Sequence, residues 1–160
     1  VNVVNRFTRP VLSTIDIDAA PDQVWEHLAD IERHTTWMAD AESIRFETTQ
    51  RDGVGTAFVC RTVVGPLRLD DRMEITEWDA PRAMGVRHTG LVSGTGRFLL
   101  TPIDLGRRTR MTWSESLQFP WWMGGPFGGL VGGRAVLGRI WRSNLRRLRD
   151  HIEGRAARSL

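Results

Sequence analysis

Three ionisable residues stand where apolar ones belong. In segment 67–75 the alternate residues Leu67, Leu69, Met73 and Ile75 share one phase, and Asp71 falls in it. His88 shares its phase with Met84, Val86 and Val92. Glu115 shares its phase with Met111, Trp113, Leu117 and Phe119. Residues two apart on a strand point to the same face, so all three side chains are aimed at the covered side of a sheet. An acid, an imidazole and a second acid on such a face could orient a polar group of a ligand. They could also move a proton, with His88 as general acid or base and Asp71 or Glu115 orienting it. A buried, unpaired carboxylate is costly, so these groups need partners, water or a cavity. Blander roles stand beside these: Glu115 paired with an arginine of the C-terminal helix, His88 as a satisfied core histidine, Asp71 at a strand end or bulge.

The elements that position them follow from periodicity. Segment 11–17 alternates as a strand, with Val11, Ser13, Ile15 and Ile17 in one phase. Pro21 suits a helix's first turn, and Asp22 and Glu26 suit its positive end. Val24, Trp25, Leu28 and Ile31 then form one helical stripe. A second short helix is expected over 34–41. From 43 to 119 the period is two. Strands are expected over 56–64, 67–78, 82–92, 96–102 and 109–119, with a shorter one around Ile44 and Phe46. Turns are read at 52–55, 65–66, 79–81, 93–94 and 104–106. Connections this short make the strands antiparallel. From Arg134 to about Glu153 the period returns to 3.6, with Leu137, Trp141, Leu145, Leu148 and Ile152 on one face and Arg139, Arg142, Arg146 and Arg149 over much of the rest. A helix of about 20 residues is about 30 Å long, enough to cover a sheet face from end to end.

A two-residue turn at Gly65-Pro66 sets a register. Val64 faces Leu67, Thr62 faces Leu69, Cys60 faces Asp71 and Phe58 faces Met73, on the covered side. Arg61 then faces Asp70 on the other side, an opposite-charge pair that suits a solvent face.

Composition bounds the function. Of 160 residues, 41% are hydrophobic and 26% charged, which excludes wholesale disorder. The length expects a single domain over 1–160. One cysteine, Cys60, excludes an internal disulfide and a cysteine-rich zinc site, and its neighbours read it as a small core residue. No apolar run is long enough to span a bilayer and no signal peptide is visible, so a cytoplasmic protein is expected. His27, His34, His88 and His151 are scattered, so no metal is expected. No dinucleotide fingerprint or P-loop occurs, and Gly94-Thr95-Gly96 reads as a turn. No cofactor is expected. Charge is uneven: residues 1–80 hold 8 arginines against 15 acids, and residues 81–160 hold 14 against 4. That asymmetry permits contact with anionic lipid, although a solvated arginine face is the favoured explanation; nucleic acid is not expected.

The run Ala20-Pro21-Asp22-Gln23-Val24-Trp25-Glu26-His27-Leu28-Ala29-Asp30, followed by Trp37, resembles the opening of the SRPBCC (START-like) superfamily. Gly53-Val54-Gly55 and the closing Asn144-Leu145-Arg146-Arg147-Leu148 with Glu153 are similar to its bacterial polyketide cyclase/dehydrase-like branch. The resemblance covers roughly residues 9–153. It implies an α+β helix-grip fold, a curved antiparallel sheet of about seven strands wrapped around the long C-terminal helix. It also implies a deep cavity for lipids, polyketides or other apolar molecules. Some members are cyclases or aromatases. The chain has no tyrosine, so a mechanism using a phenol has no counterpart.

The expectation is a hydrophobic or amphipathic small molecule held in an internal cavity. Its expected lining is Trp25, Leu28, Trp37, Phe58, Thr62, Leu69, Asp71, Met73, Met84, His88, Phe98, Trp113, Glu115 and Leu137. Trp121, Trp122 and Phe127, beside the glycine-rich run 124–133, are expected to gate the mouth or dock at a membrane interface. The alternatives are a cyclase, aromatase or dehydratase with His88, Asp71 and Glu115 as catalytic candidates, and a regulatory protein using the arginine-rich helix for a membrane or partner.

Overall fold

A computed structural model describes residues 9–120 and 133–156. Its strands are β1 (Val11–Ile17), β2 (Ala41–Phe46), β3 (Ala57–Val64), β4 (Leu67–Asp79), β5 (Ala83–Thr89), β6 (Ser93–Ile103) and β7 (Arg108–Gln118). They form one antiparallel seven-stranded sheet in the order β1-β7-β6-β5-β4-β3-β2. Helix α1 (Pro21–Ala29) and a 3-10 helix (Ile31–Thr36) connect β1 to β2, and the long helix α2 (Arg134–Ala156) closes the chain. A curved sheet gripping a C-terminal helix is the helix-grip fold.

Local chemistry explains the helices. Pro21 opens α1, and the Gln23 side chain accepts a hydrogen bond from the Ala20 amide at 3.1 Å. That satisfies one of the amides a helix start leaves free. The stripe Val24, Trp25 and Leu28 is buried. On α2, Trp141, Leu145, Leu148 and Ile152 are buried, whereas Arg139, Arg142, Arg146 and Arg147 are exposed. Both stripes join Ile17, Ile31, Ile75, Leu100, Met111 and Trp113 in one core. Each fully buried leucine or isoleucine there contributes about 1.5–3 kcal/mol.

The β3–β4 hairpin has the register read from its turn. Val64 pairs with Leu67, Thr62 with Leu69, Cys60 with Asp71 and Phe58 with Met73. On the opposite face Arg61 meets Asp70 at 2.7 Å.

Three local expectations are corrected. The second helix is a 3-10 helix over Ile31–Thr36, not a helix over 34–41. Within it His34 turns inward, where its Nε2–H donates to the Leu28 carbonyl at 2.8 Å. Ser93 and Gly94 are not a turn. They belong to β6, pairing with Thr89 and His88, and the chain reverses at 90–92. Likewise β5 ends at Thr89 rather than 92. Glycine and serine signal turns because they tolerate them, yet here both are held by neighbouring strands. Among the described residues no helix is long and apolar enough to cross a membrane.

Candidate functional site

Between the inner face of the sheet and the first turns of α2 lies a cavity of about 300 Å³. Strands β3 to β7 supply most of its wall, the 3-10 helix closes one side, and Val136, Leu137 and Trp141 of α2 form the roof. The wall is chiefly apolar. Trp113 on β7 stacks on Trp141 of α2, with ring centroids 5.3 Å apart, and meets Phe98 of β6 edge-on at 5.1 Å. These rings tie helix to sheet beside the cavity.

Asp71, His88 and Glu115 meet on this wall. His88 Nδ1 lies 2.7 Å from Asp71 Oδ2, and its Nε2 lies 3.1 Å from Glu115 Oε1. Their side chains are 13%, 5% and 8% exposed, in the order Asp71, His88, Glu115. Burial alone would lower the pKa of His88, but hydrogen bonds to both carboxylates outweigh it and raise it to about 9. His88 is therefore an imidazolium at neutral pH and donates from both nitrogens. Burial pushes Glu115 above the ordinary carboxylate range, and the bond to His88 pulls it part of the way back. Asp71 Oδ1 is buried without a hydrogen-bond partner.

The contact between His88 and Glu115 crosses an intervening strand. His88 is on β5 and Glu115 on β7, with β6 between them. Across from His88 on β6 is Gly94, and across from Glu115 is Gly96. A Cβ at Gly96 would stand 2.8 Å from Glu115 Oε1 and 3.0 Å from Val86 Cγ1. Gly96 leaves the gap through which the carboxylate reaches the imidazole, whereas Gly94 lies against the Ser116 backbone of β7.

Other polar groups line the same space. His34 is buried, and loss of solvent lowers its pKa to about 4, although the Leu28 carbonyl and Asp30 favour its proton. It is neutral, with Nε2 donating and Nδ1 left as an acceptor. Asp40 accepts from Asn144 Nδ2 at 2.6 Å, and Asn144 Oδ1 accepts from the Ala39 amide at 3.0 Å. Asn144 is wholly buried and fastens α2 to the start of β2. Burial pushes the Cys60 thiol up to about 11, so it is not a nucleophile at neutral pH.

Most of the expected lining lies on the wall: Phe58, Thr62, Leu69, Asp71, Met73, Met84, His88, Phe98, Trp113, Glu115 and Leu137. Three do not. Trp25 packs edge-on against Trp78 at 5.2 Å, Leu28 has no exposed surface, and Trp37 is sealed among His34, Phe98 and Trp113. They come from α1 and the end of the 3-10 helix, which spend their apolar faces on the core and stand behind the wall. Trp121, Trp122 and Phe127 lie outside the described residues. Glu115 takes its partner from β5 rather than an arginine of α2. Asp40 was not named from sequence, His34 was named only among the scattered histidines, and Asn144 only within the closing motif. Asn144 carried a signal, since it sits between Trp141 and Leu148 on the apolar helix stripe. Among the described residues no group of acids, histidines and cysteine is arranged to hold a metal ion.

Comparison with known proteins agrees with this geometry. Residues 10–153 match the family described as polyketide cyclase / dehydrase and lipid transport. No curated protein matches by sequence. Several solved structures share the fold. An aromatase/cyclase, Zhui, from Streptomyces sp. R1128 is 20% identical with a TM-score of 0.74, over 93% of this chain and 96% of that one. A protein from Thermus thermophilus is also 20% identical with a TM-score of 0.75, over 91% of this chain and 98% of that one. A START superfamily protein from Mycobacterium smegmatis is 10% identical with a TM-score of 0.74, over 91% and 97%.

Proposed function

We propose that this chain, which belongs to the polyketide cyclase / dehydrase and lipid transport family, is one ligand-binding domain that holds a lipid- or polyketide-like molecule between sheet and helix. One observation carries the reading: a cavity of about 300 Å³ with an apolar wall and a small set of convergent polar groups. That combination is what a small-molecule site requires, apolar surface for affinity and a few polar atoms for orientation. Asp71, His88 and Glu115 are the orienting groups. The test is native mass spectrometry of the full chain after expression and after incubation with a medium-chain amphiphile. Recovery of an unchanged ligand at one per chain is expected, with His88→Ala retaining affinity within a few-fold. A chain that takes up no apolar molecule would end the reading.

A second reading rests on the His88 contacts with Asp71 and Glu115. An imidazolium that releases one of its two carboxylates, Glu115 being the more distant at 3.1 Å, can give a proton to a carbonyl or a leaving hydroxyl and take one back. That is the chemistry of a cyclase or dehydratase. Turnover of a poly-β-keto substrate that collapses in His88→Ala, while the variant still binds product, would favour it over simple carriage.

A further inference from the structure

The polar atoms that the cavity presents are unequal in kind. Asp71 Oδ1 is buried and has no partner. Asp40 and Glu115 bring two more carboxylates to the wall. Neutral His34 uses Nε2–H on the Leu28 carbonyl, which leaves Nδ1 as an acceptor. The cationic group on the wall, His88, has both nitrogens on carboxylates. Arg97 borders the cavity, but its guanidinium reaches outward to Glu77 at 2.7 and 2.9 Å. Thr62, whose hydroxyl both donates and accepts, and the indoles of Trp113 and Trp141, which only donate, are neutral. Among the described residues, then, no cation on this wall is free to meet an anion.

We infer that the cavity selects an amphiphile whose buried end is a hydrogen-bond donor, an alcohol, phenol or amine, and rejects one ending in a carboxylate. The inference rests on the binding reading above and specifies its ligand. A hydroxyl or ammonium that reaches Asp71 gives its carboxylate a donor, where Oδ1 otherwise stays desolvated and unpaired. A carboxylate placed there would face Asp71 and Glu115 with no donor of matching charge, and would lose its own hydration as well. Discrimination is strong when the wrong ligand leaves buried polar groups unpaired.

The test uses three probes with one tail: decanol, decylamine and decanoate, competing with a cavity-bound fluorescent dye at pH 7.5. Decanol and decylamine are expected to bind at least about tenfold more tightly than decanoate. In Asp71→Asn, whose amide can donate, decanoate is expected to gain and the gap to narrow, with circular dichroism confirming the fold. Decanoate binding as well as or better than decanol in the unaltered chain overturns this inference and leaves the binding reading standing. If none of the three displaces the dye and none binds by calorimetry, the binding reading itself fails. An unchanged gap in a folded Asp71→Asn chain removes Asp71 as the selecting group and overturns the assignment.

Discussion

Two buried histidines of opposite character make stability depend on pH in both directions. His88 has a folded-state pKa of about 9 against an ordinary value of 6.5. A raised pKa stabilises the fold fully below the unfolded value, and that stabilisation is lost as pH rises through the folded one. The window is therefore 6.5 to 9, and the shift corresponds to about 3 kcal/mol. His34 runs the other way. Its pKa is lowered to about 4, so its contribution is present above 6.5 and is lost as pH falls toward 4, again about 3 kcal/mol. Stability should peak near pH 6.5 and decline on both sides. Glu115, raised by burial, adds to the loss as pH climbs from its unfolded value.

Urea unfolding of the full chain at closely spaced pH values measures this directly. In His88→Gln/Glu115→Gln, which removes the imidazolium together with the buried carboxylate that depends on it, the alkaline decline should flatten while the acid decline remains. In His34→Gln the reverse is expected. The Cys60 thiol is pushed from 9.0 to about 11, so its own alkaline loss begins only near the end of the His88 window. A Cys60→Ala background separates the two. A stability curve flat between pH 6.5 and 9 in the unaltered chain, or an alkaline decline that survives in His88→Gln/Glu115→Gln, would refute the account of His88 as a charged centre held by two carboxylates.

Other perturbations read different parts of the same design. Gly96→Ala should push Glu115 off His88 and cost about 1–3 kcal/mol, and the His88 imidazole resonances should titrate well below pH 9. Asn144→Leu should cost at least about 2 kcal/mol in a urea melt, because it leaves both Asp40 and the Ala39 amide without a partner. Leu69→Trp should abolish binding of a cavity dye with little change in melting temperature, since the indole enters empty space rather than a packed core. Asp70→Ala should leave the urea midpoint unmoved, because its pair with Arg61 is exposed on both sides.

Much of the fold was legible because the periods were clean. The Gly65-Pro66 turn allows one register for β3 and β4, and that register holds for every pair from Val64–Leu67 to Phe58–Met73. The helical stripe 137–152 gave both the length and the buried face of α2. What was lost lies where a local signal and a tertiary contact disagree. Trp25, Leu28 and Trp37 are apolar and inward-facing, which is the signature of a cavity wall and of a core alike. Depth behind a wall has no sequence period. His34 was passed over because its role is a single bond to the Leu28 carbonyl, and no spacing announces that.

The site was legible for a different reason. Asp71, His88 and Glu115 were found by the cost of their positions, each being charged in a phase otherwise apolar. That argument says that partners must exist without saying which. Strand order supplies the answer: β4 and β5 are neighbours, so Asp71 reaches His88 directly. Glu115 is one strand too far, and a side chain at Gly96, the β6 residue opposite it, would block it. Gly96 therefore belongs to the site although it carries no chemistry. A bare position between two ionisable groups lets them meet. Glycine inside a strand usually weakens the sheet. Here the cost is recovered by the bond it admits, since without the gap Glu115 would be a buried carboxylate with no cation in reach. Gly94-Thr95-Gly96, read in isolation as a turn, lies within β6, and its Gly96 is the clearance that makes the three-residue network possible.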